Sequence, residues 1–186
     1  MTNKKTVAVV VGSLRKDSFT RKVARALEEH APELSFIHVD IGGLPAYNQD
    51  LDPDHAPAPW IAFRDAIRPV DAVLFATPEY NRSVPGVLKN AIDVGSRPYG
   101  KSVWSGKPAG VVSVSPGALG AFGANHHLSQ SLVFLDMPVL QQPEMYVNNV
   151  SKAFDDRGAL INDDLKGLLS KFGVAFGAWV NHHPKK

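Results

Sequence analysis

The sequence predicts a three-layer, doubly wound α/β domain built on a five-stranded parallel sheet. Three observations predict it. Short apolar runs alternate with helical periodicity along the chain. The strand runs are apolar throughout rather than alternating, as strands covered on both faces require. The 186 residues amount to about one domain's worth, so residues 1–186 read as a single domain.

Taken in chain order, the elements justify themselves one by one. Residues 6–11 (TVAVVV) are a β-branched strand, and residues 19–30 place Phe19, Val23, Ala24 and Leu27 on one helical face. Residues 35–39 (SFIHV) read as the second strand. Residues 59–67 form a short helix with Trp60, Phe63 and Ile67 at helical spacing, and residues 72–76 (AVLFA) the third strand. A helix over residues 85–93 has Pro85 in its first turn, where a missing N–H costs nothing. Residues 109–114 (AGVVSV) form the fourth strand, and residues 125–135 a helix with Leu128, Leu132 and Leu135 in register. Residues 137–140 are the expected fifth strand. The closing helix, over residues 162–179, aligns Leu165, Leu168, Leu169, Phe172, Phe176 and Trp179. The proline-rich stretch 44–59 reads as an extended surface loop, because apolar periodicity resumes directly after it.

Composition excludes several chemistries. With 44% hydrophobic and 20% charged residues the chain is an ordinary globular sequence, not a disordered one. It has no cysteine, which removes disulfide scaffolds, thiolate metal sites, iron–sulfur clusters and cysteine nucleophiles. The balance of 20 − 18 = +2 is small and evenly spread, so no nucleic-acid partner is expected. No apolar stretch approaches the ~20 residues of a membrane span, and residues 1–5 lead straight into the short run 6–11, unlike a signal peptide. A cytoplasmic protein without a membrane partner is the expectation. The tail from Asn181 through His182 and His183 to Lys186 reads as a solvated terminus rather than a metal site. His126 and His127 point ~100° apart on a helix, an awkward pair for one metal. His-Glu-x-x-His and Gly-x-Ser-x-Gly motifs are both missing, so metal-dependent and serine hydrolysis are set aside.

In doubly wound sheets ligands bind beyond the carboxyl ends of the strands, near the point where strand order reverses. Three loops lie there. The first, residues 12–21, offers hydroxyls at Ser13, Ser18 and Thr20 and cations at Arg15, Lys16 and Arg21, beside a helix start with Ser18 as its N-cap. Hydroxyl donors, cationic groups and helix N–H groups together suit a phosphomonoester. Gly12 is the loop's only glycine, so neither a P-loop nor a dinucleotide fingerprint fits, and Asp40 at the end of strand two reads as an ordinary strand-end carboxylate. The second loop runs from Thr77 through Pro78, Glu79, Tyr80, Asn81 and Arg82 to Pro85. Tyr80 can lie along a planar ring, and its neighbours' backbone can meet a heteroatom edge. The third, from Ser115 through Gly117 to Gly123, is made of small residues that let backbone approach a ligand. A phosphate at one end and a flat heteroaromatic ring at the other describe a mononucleotide such as FMN.

These segments carry a specific resemblance. The Gly12-Ser13-Leu14-Arg15-Lys16-Asp17-Ser18-Phe19 loop, the Leu44-Pro45-Ala46-Tyr47-Asn48 stretch, Thr77-Pro78-Glu79-Tyr80-Asn81, and the helix from Ser83 through Pro85, Leu88 and Asn90 to Asp93 resemble the NAD(P)H-dependent FMN reductase family. The similarity is strongest to its quinone- and chromate-reducing branch and covers residues 6 to about 140. It implies a flavodoxin-like fold, bound FMN, NADPH or NADH as co-substrate, and assembly as homodimers or homotetramers. Carried over by position, Ser13, Leu14, Arg15, Ser18, Phe19 and Thr20 would surround the phosphate. Pro78, Glu79, Tyr80, Asn81 and Arg82 would form the second flavin segment, and Ser115 with Gly117 the third. Thr20 stands where Asn is common. Phe122, Gly123, Ala124, Asn125 and His126 replace a segment in which chromate-reducing members carry an Arg and a Tyr.

The resemblance implies ping-pong hydride transfer. A nicotinamide reduces FMN, and the reduced flavin passes electrons to a quinone or another small acceptor such as free flavin, chromate or an azo compound. The chemistry then lies on FMN, and no catalytic protein side chain is required. The alternative is a flavodoxin-like electron carrier or redox-responsive binding module. Such carriers are acidic and have an uncharged phosphate loop, whereas this chain has Arg15 in the loop and a net charge of +2.

Overall fold

The valine run near the N-terminus becomes the pivot of the sheet. In a computed structural model, which describes residues 4–52 and 54–183, β1 (Lys5–Val11) pairs in parallel with β2 (Leu34–Val39) on one side and β3 (Ala72–Thr77) on the other. The sheet continues through β4 (Ala109–Val114) to β5 (Tyr146–Val147), giving the all-parallel order β2-β1-β3-β4-β5. Every residue of β3 and β4 is buried, which explains why their sequences lack polar alternation.

Five helices supply the two covering layers. Val7, Val9, Leu74 and Val112 face α1 (Phe19–Glu29) and α5 (Asp163–His182), whose Leu27, Leu169, Phe172 and Phe176 complete that core. Val10, Val73, Phe75 and Val111 face the other way, against α2 (Ala58–Ile67), α3 (Gly86–Gly95) and α4 (Phe122–Phe134). Gly173 lets α5 lie against the turn after α1, since a Cβ there would sit 2.4 Å from the His30 carbonyl oxygen.

Residues 137–140 are not the fifth strand. Val139 makes only an isolated parallel bridge to Ala109, through Ala109 N–H to the Pro138 oxygen (2.9 Å) and Leu140 N–H to the Ala109 oxygen (2.8 Å). Pro138 has no N–H to extend the ladder, and Pro143 interrupts the segment beyond it. Pairing with β4 resumes at Tyr146–Val147. Two helix starts also differ. Pro85 is the N-cap of α3 rather than part of its first turn, and α4 begins at Phe122 rather than residue 125.

The 44–59 stretch is pinned down rather than loose. Asn90 on α3 accepts the Tyr47 N–H (2.8 Å) and donates to the Leu44 and Pro45 carbonyls. Trp60 also donates to the Pro45 oxygen (2.9 Å), and the buried Arg64 grips Asp52 with two guanidinium nitrogens. At the C-terminus α5 runs through His182, and the His183 ring rests on Trp179 (4.1 Å between centroids). Of the expected solvated tail, residues 184–186 lie outside the described residues, as do 1–3 and 53.

Candidate functional site

Because β1 sits between β2 and β3, chain order reverses at the β1–β3 boundary, the place where doubly wound sheets bind ligands beyond the strands' carboxyl ends. The Gly12 N–H extends the β1–β3 ladder to the Ala76 oxygen (2.8 Å). A Cβ at Gly12 would lie 3.0 Å from Leu88 and 3.4 Å from Pro78, so the first two loops leave β1 and β3 in contact.

The first loop is organised by α1. Ser18 is its N-cap, accepting the Arg21 N–H at 3.2 Å. Ser13, Ser18 and Thr20 are buried, while Leu14, Arg15, Lys16 and Asp17 project outward. Arg21 bends back across the loop, donating to the carbonyls of Arg15 and Ser13 (3.3 Å each). It braces the loop from behind, which its place in the sequence did not reveal. A cleft of about 240 Å³ lined by Ser13, Leu14, Arg21, Arg25, His38 and Asp40 opens beside it. Asp40 accepts the Gly42 N–H (3.1 Å), consistent with its reading as an ordinary strand-end carboxylate.

The second loop is a hairpin. Tyr80 and Ser83 exchange both backbone hydrogen bonds at 3.0 Å, and between them Asn81 (φ 51°) and Arg82 (φ 63°) are both left-handed, as in a type I′ turn. Asn tolerates that conformation; Arg does so at a cost of roughly 1–2 kcal/mol. Strained backbone of this kind concentrates at functional sites. Tyr80 is half exposed beside the turn.

The Glu79 side chain leaves the loop for α4. One oxygen accepts the Ala124 N–H (3.0 Å) and the other accepts from the Arg82 guanidinium (3.0 Å). On the far side of the turn, Ser83 Oγ lies 3.0 Å from His127 Nδ1. Ala124 and His127 escaped the sequence reading because nothing local to them signals a partner more than forty residues away.

In the third loop Ser115 Oγ accepts the Gly117 N–H (3.0 Å), while Asn149 and Val150 N–H groups reach the Gly117 and Ser115 carbonyls (3.4 Å each). Gly120 is left-handed (φ 57°), and a Cβ there would strike the Tyr146 carbonyl at 2.7 Å. A group not foreseen from sequence closes this end: Phe122, His126 and Tyr146, with Tyr146 Oη 3.1 Å from His126 Nε2. Burial first, and then the neighbouring Glu144 carboxylate, pushes the Tyr146 pKa from 10.0 up to about 12. The structure therefore brings the residues of all three loops to one end of the sheet.

The chain has clear relatives. A profile of the family described as NADPH-dependent FMN reductase matches residues 5–152. A protein named quinone reductase from Pseudomonas putida is 62% identical over 175 residues, covering 94% of each chain. A 2-hydroxy-1,4-benzoquinone reductase from a Burkholderia species is 47% identical, covering 94% of this chain and 95% of its own. The solved structure of FerB, a flavoenzyme NAD(P)H:(acceptor) oxidoreductase from Paracoccus denitrificans, superposes with a TM-score of 0.91 at 43% identity, covering 97% of this chain and all of that one. With the strand order 2-1-3-4-5 shared by flavodoxin-like folds, these likenesses place the chain: it belongs to the NADPH-dependent FMN reductase family.

Proposed function

We propose that this protein is an NAD(P)H-dependent, FMN-containing oxidoreductase that reduces quinones. The observation that carries the reading is the meeting, at the β1–β3 switch point, of a hydroxyl- and arginine-bearing loop on a helix N-terminus with a strained turn beside an exposed tyrosine. The residues fit FMN. Buried Ser13, Ser18 and Thr20 and the α1 N-terminus offer the donors that a phosphate dianion needs, with Arg15 supplying charge. Leu14 and Phe19 flank that group. Pro78, the backbone of Glu79 to Arg82 and the Tyr80 ring form one wall for a flat heterocycle, and Ser115 with Gly117 the other.

FMN, when bound, would supply the redox chemistry, hydride transfer from a nicotinamide and electron transfer to the acceptor. The protein's part is to bind and orient. Arg15 and the helix end hold the phosphate, and the pinned turn holds the ring plane. The exposed Arg82 guanidinium would meet the additional phosphate where the nicotinamide is NADPH. The relatives are named as reductases, which sets aside the electron-carrier alternative.

The reading includes a cytoplasmic location, where reduced nicotinamides are at hand, and assembly as a homodimer or homotetramer. Among the described residues no helix is long and apolar enough to cross a membrane. Exposed Phe122, Val133 and Phe134 along α4 support assembly. The test is direct: purified FMN-loaded protein should consume NADPH or NADH when a benzoquinone is supplied. Flavin that neither nicotinamide can reduce would refute the reading.

A further inference from the structure

We propose that Glu79 is a positioning residue for the flavin ring, fastening the ring-binding turn to the N-terminus of α4 rather than contacting the cofactor. The proposal rests on the reading of residues 79–82 as the ring segment.

Three features of α4 call for such a fastener. Its N-cap, Ala121, is itself left-handed (φ 62°) and has no side-chain oxygen to accept the N–H groups of the first turn. The acceptor comes instead from Glu79, whose Oε2 takes the Ala124 N–H at 3.0 Å and sets a negative charge at the positive end of the helix. Gly123 makes room for this. A Cβ there would fall 2.9 Å from Glu79 Oε2 and 3.0 Å from the Arg82 carbonyl oxygen.

The same carboxylate governs the turn. Its Oε1 accepts from Arg82, one of the two left-handed residues, and the Ser83–His127 contact ties down the opposite flank. Strained turns persist where their surroundings over-determine them. Here α4 does so from both sides. The Glu79 side chain is only 12% exposed, so its bond to the helix is shielded, whereas Arg82 is 70% exposed and its ion pair contributes little. Both Glu79 oxygens are thus engaged within the protein. The phosphate end is built separately, on Ser18 and Arg21 of α1. The two halves of the cofactor site are therefore held by different helices.

That separation makes the proposal testable with full-length protein stripped of flavin. FMN is titrated by fluorescence, and inorganic phosphate is measured as its competitor. Glu79→Ala should weaken FMN binding about tenfold or more, as expected when a charge-assisted bond is lost, while phosphate affinity stays at the wild-type value. Glu79→Gln keeps an acceptor for Ala124 and loses the exposed ion pair and the charge at the helix end, so it should bind FMN within about fivefold of wild type and more tightly than Glu79→Ala. Gly123→Ala should reproduce Glu79→Ala by wedging the contact apart, and it serves as the test if Glu79→Ala does not fold. Wild-type FMN affinity in Glu79→Ala or Gly123→Ala would overturn the proposal, as would a parallel loss of FMN and phosphate binding. Wild-type protein in the same titration separates the two ideas, because its failure to bind FMN would overturn the functional reading itself.

Discussion

Arg15 and Arg21 sit six residues apart and look interchangeable in the sequence, yet they do different work. Arg21 is engaged by two carbonyls of the loop after β1, and Arg15 projects outward from it. Arg15→Ala should therefore weaken FMN binding by ~1.5–3 kcal/mol, the scale of a charge-assisted hydrogen bond, with the fold unchanged. Unaltered affinity by fluorescence titration would remove Arg15 from the phosphate site. Tyr146 sets a second expectation. Its pKa is raised from 10.0 to about 12, so the fold favours the neutral phenol. The stability this contributes is complete below the unfolded value and is lost as pH rises from 10.0 towards about 12. Tyr146→Phe should flatten that part of the alkaline melting profile relative to wild type; identical profiles would show that Tyr146 is not the group responsible. Part of this detail was legible in the sequence. Ser18 as N-cap is implied by its place before an apolar helical run, and the structure has it. The left-handed Asn81–Arg82 pair was not legible, because an Asn-Arg dipeptide lacks the glycine that usually announces such a turn.

Elements show the same division. β1, β3 and β4 could be read almost to the residue because burial on both faces leaves a continuous apolar run. β5 could not. Met137, Val139 and Leu140 form the more apolar segment, but Pro138 removes the donor that would lengthen their ladder, and pairing settles on Tyr146–Val147. The fit of α5 against the segment after α1 was also invisible, since it hangs on Gly173. A helical Gly→Ala change ordinarily stabilises by roughly 0.5–1 kcal/mol. Here the new methyl would meet the His30 carbonyl oxygen at 2.4 Å, so helix and turn must part. We expect Gly173→Ala to destabilise by ~1–3 kcal/mol in urea melts, the usual cost of overpacking. A stabilised variant would show that the helix shifts at no cost.

For the molecule as a whole, the described surface leaves large apolar side chains open on α4. Phe134 is 85% exposed and Val133 70%, on the same helix whose first turn Glu79 caps. Phe134→Glu should shift a homodimer or homotetramer towards monomer in light scattering, with phosphate affinity preserved. An unchanged mass would place the subunit contact elsewhere. The architecture was open to a reader of the sequence, because strand–helix alternation implies it. What joins the loops to the helices behind them was not, since Glu79 and Ala124, or Ser83 and His127, meet only through the completed fold.

The position of α5 bears on how the chain is made. Leu169, Phe172, Phe176 and Val180 complete one of the two apolar layers, against Val7, Leu74 and Val112 of the central strands. A ribosome delivers those strands long before it delivers their cover. Until α5 emerges, that face of the sheet is covered only by α1 and the stretch around Val150, Ala153 and Phe154, and exposed apolar surface of this kind invites aggregation. Folding therefore cannot finish before α5 is free to dock and complete that layer.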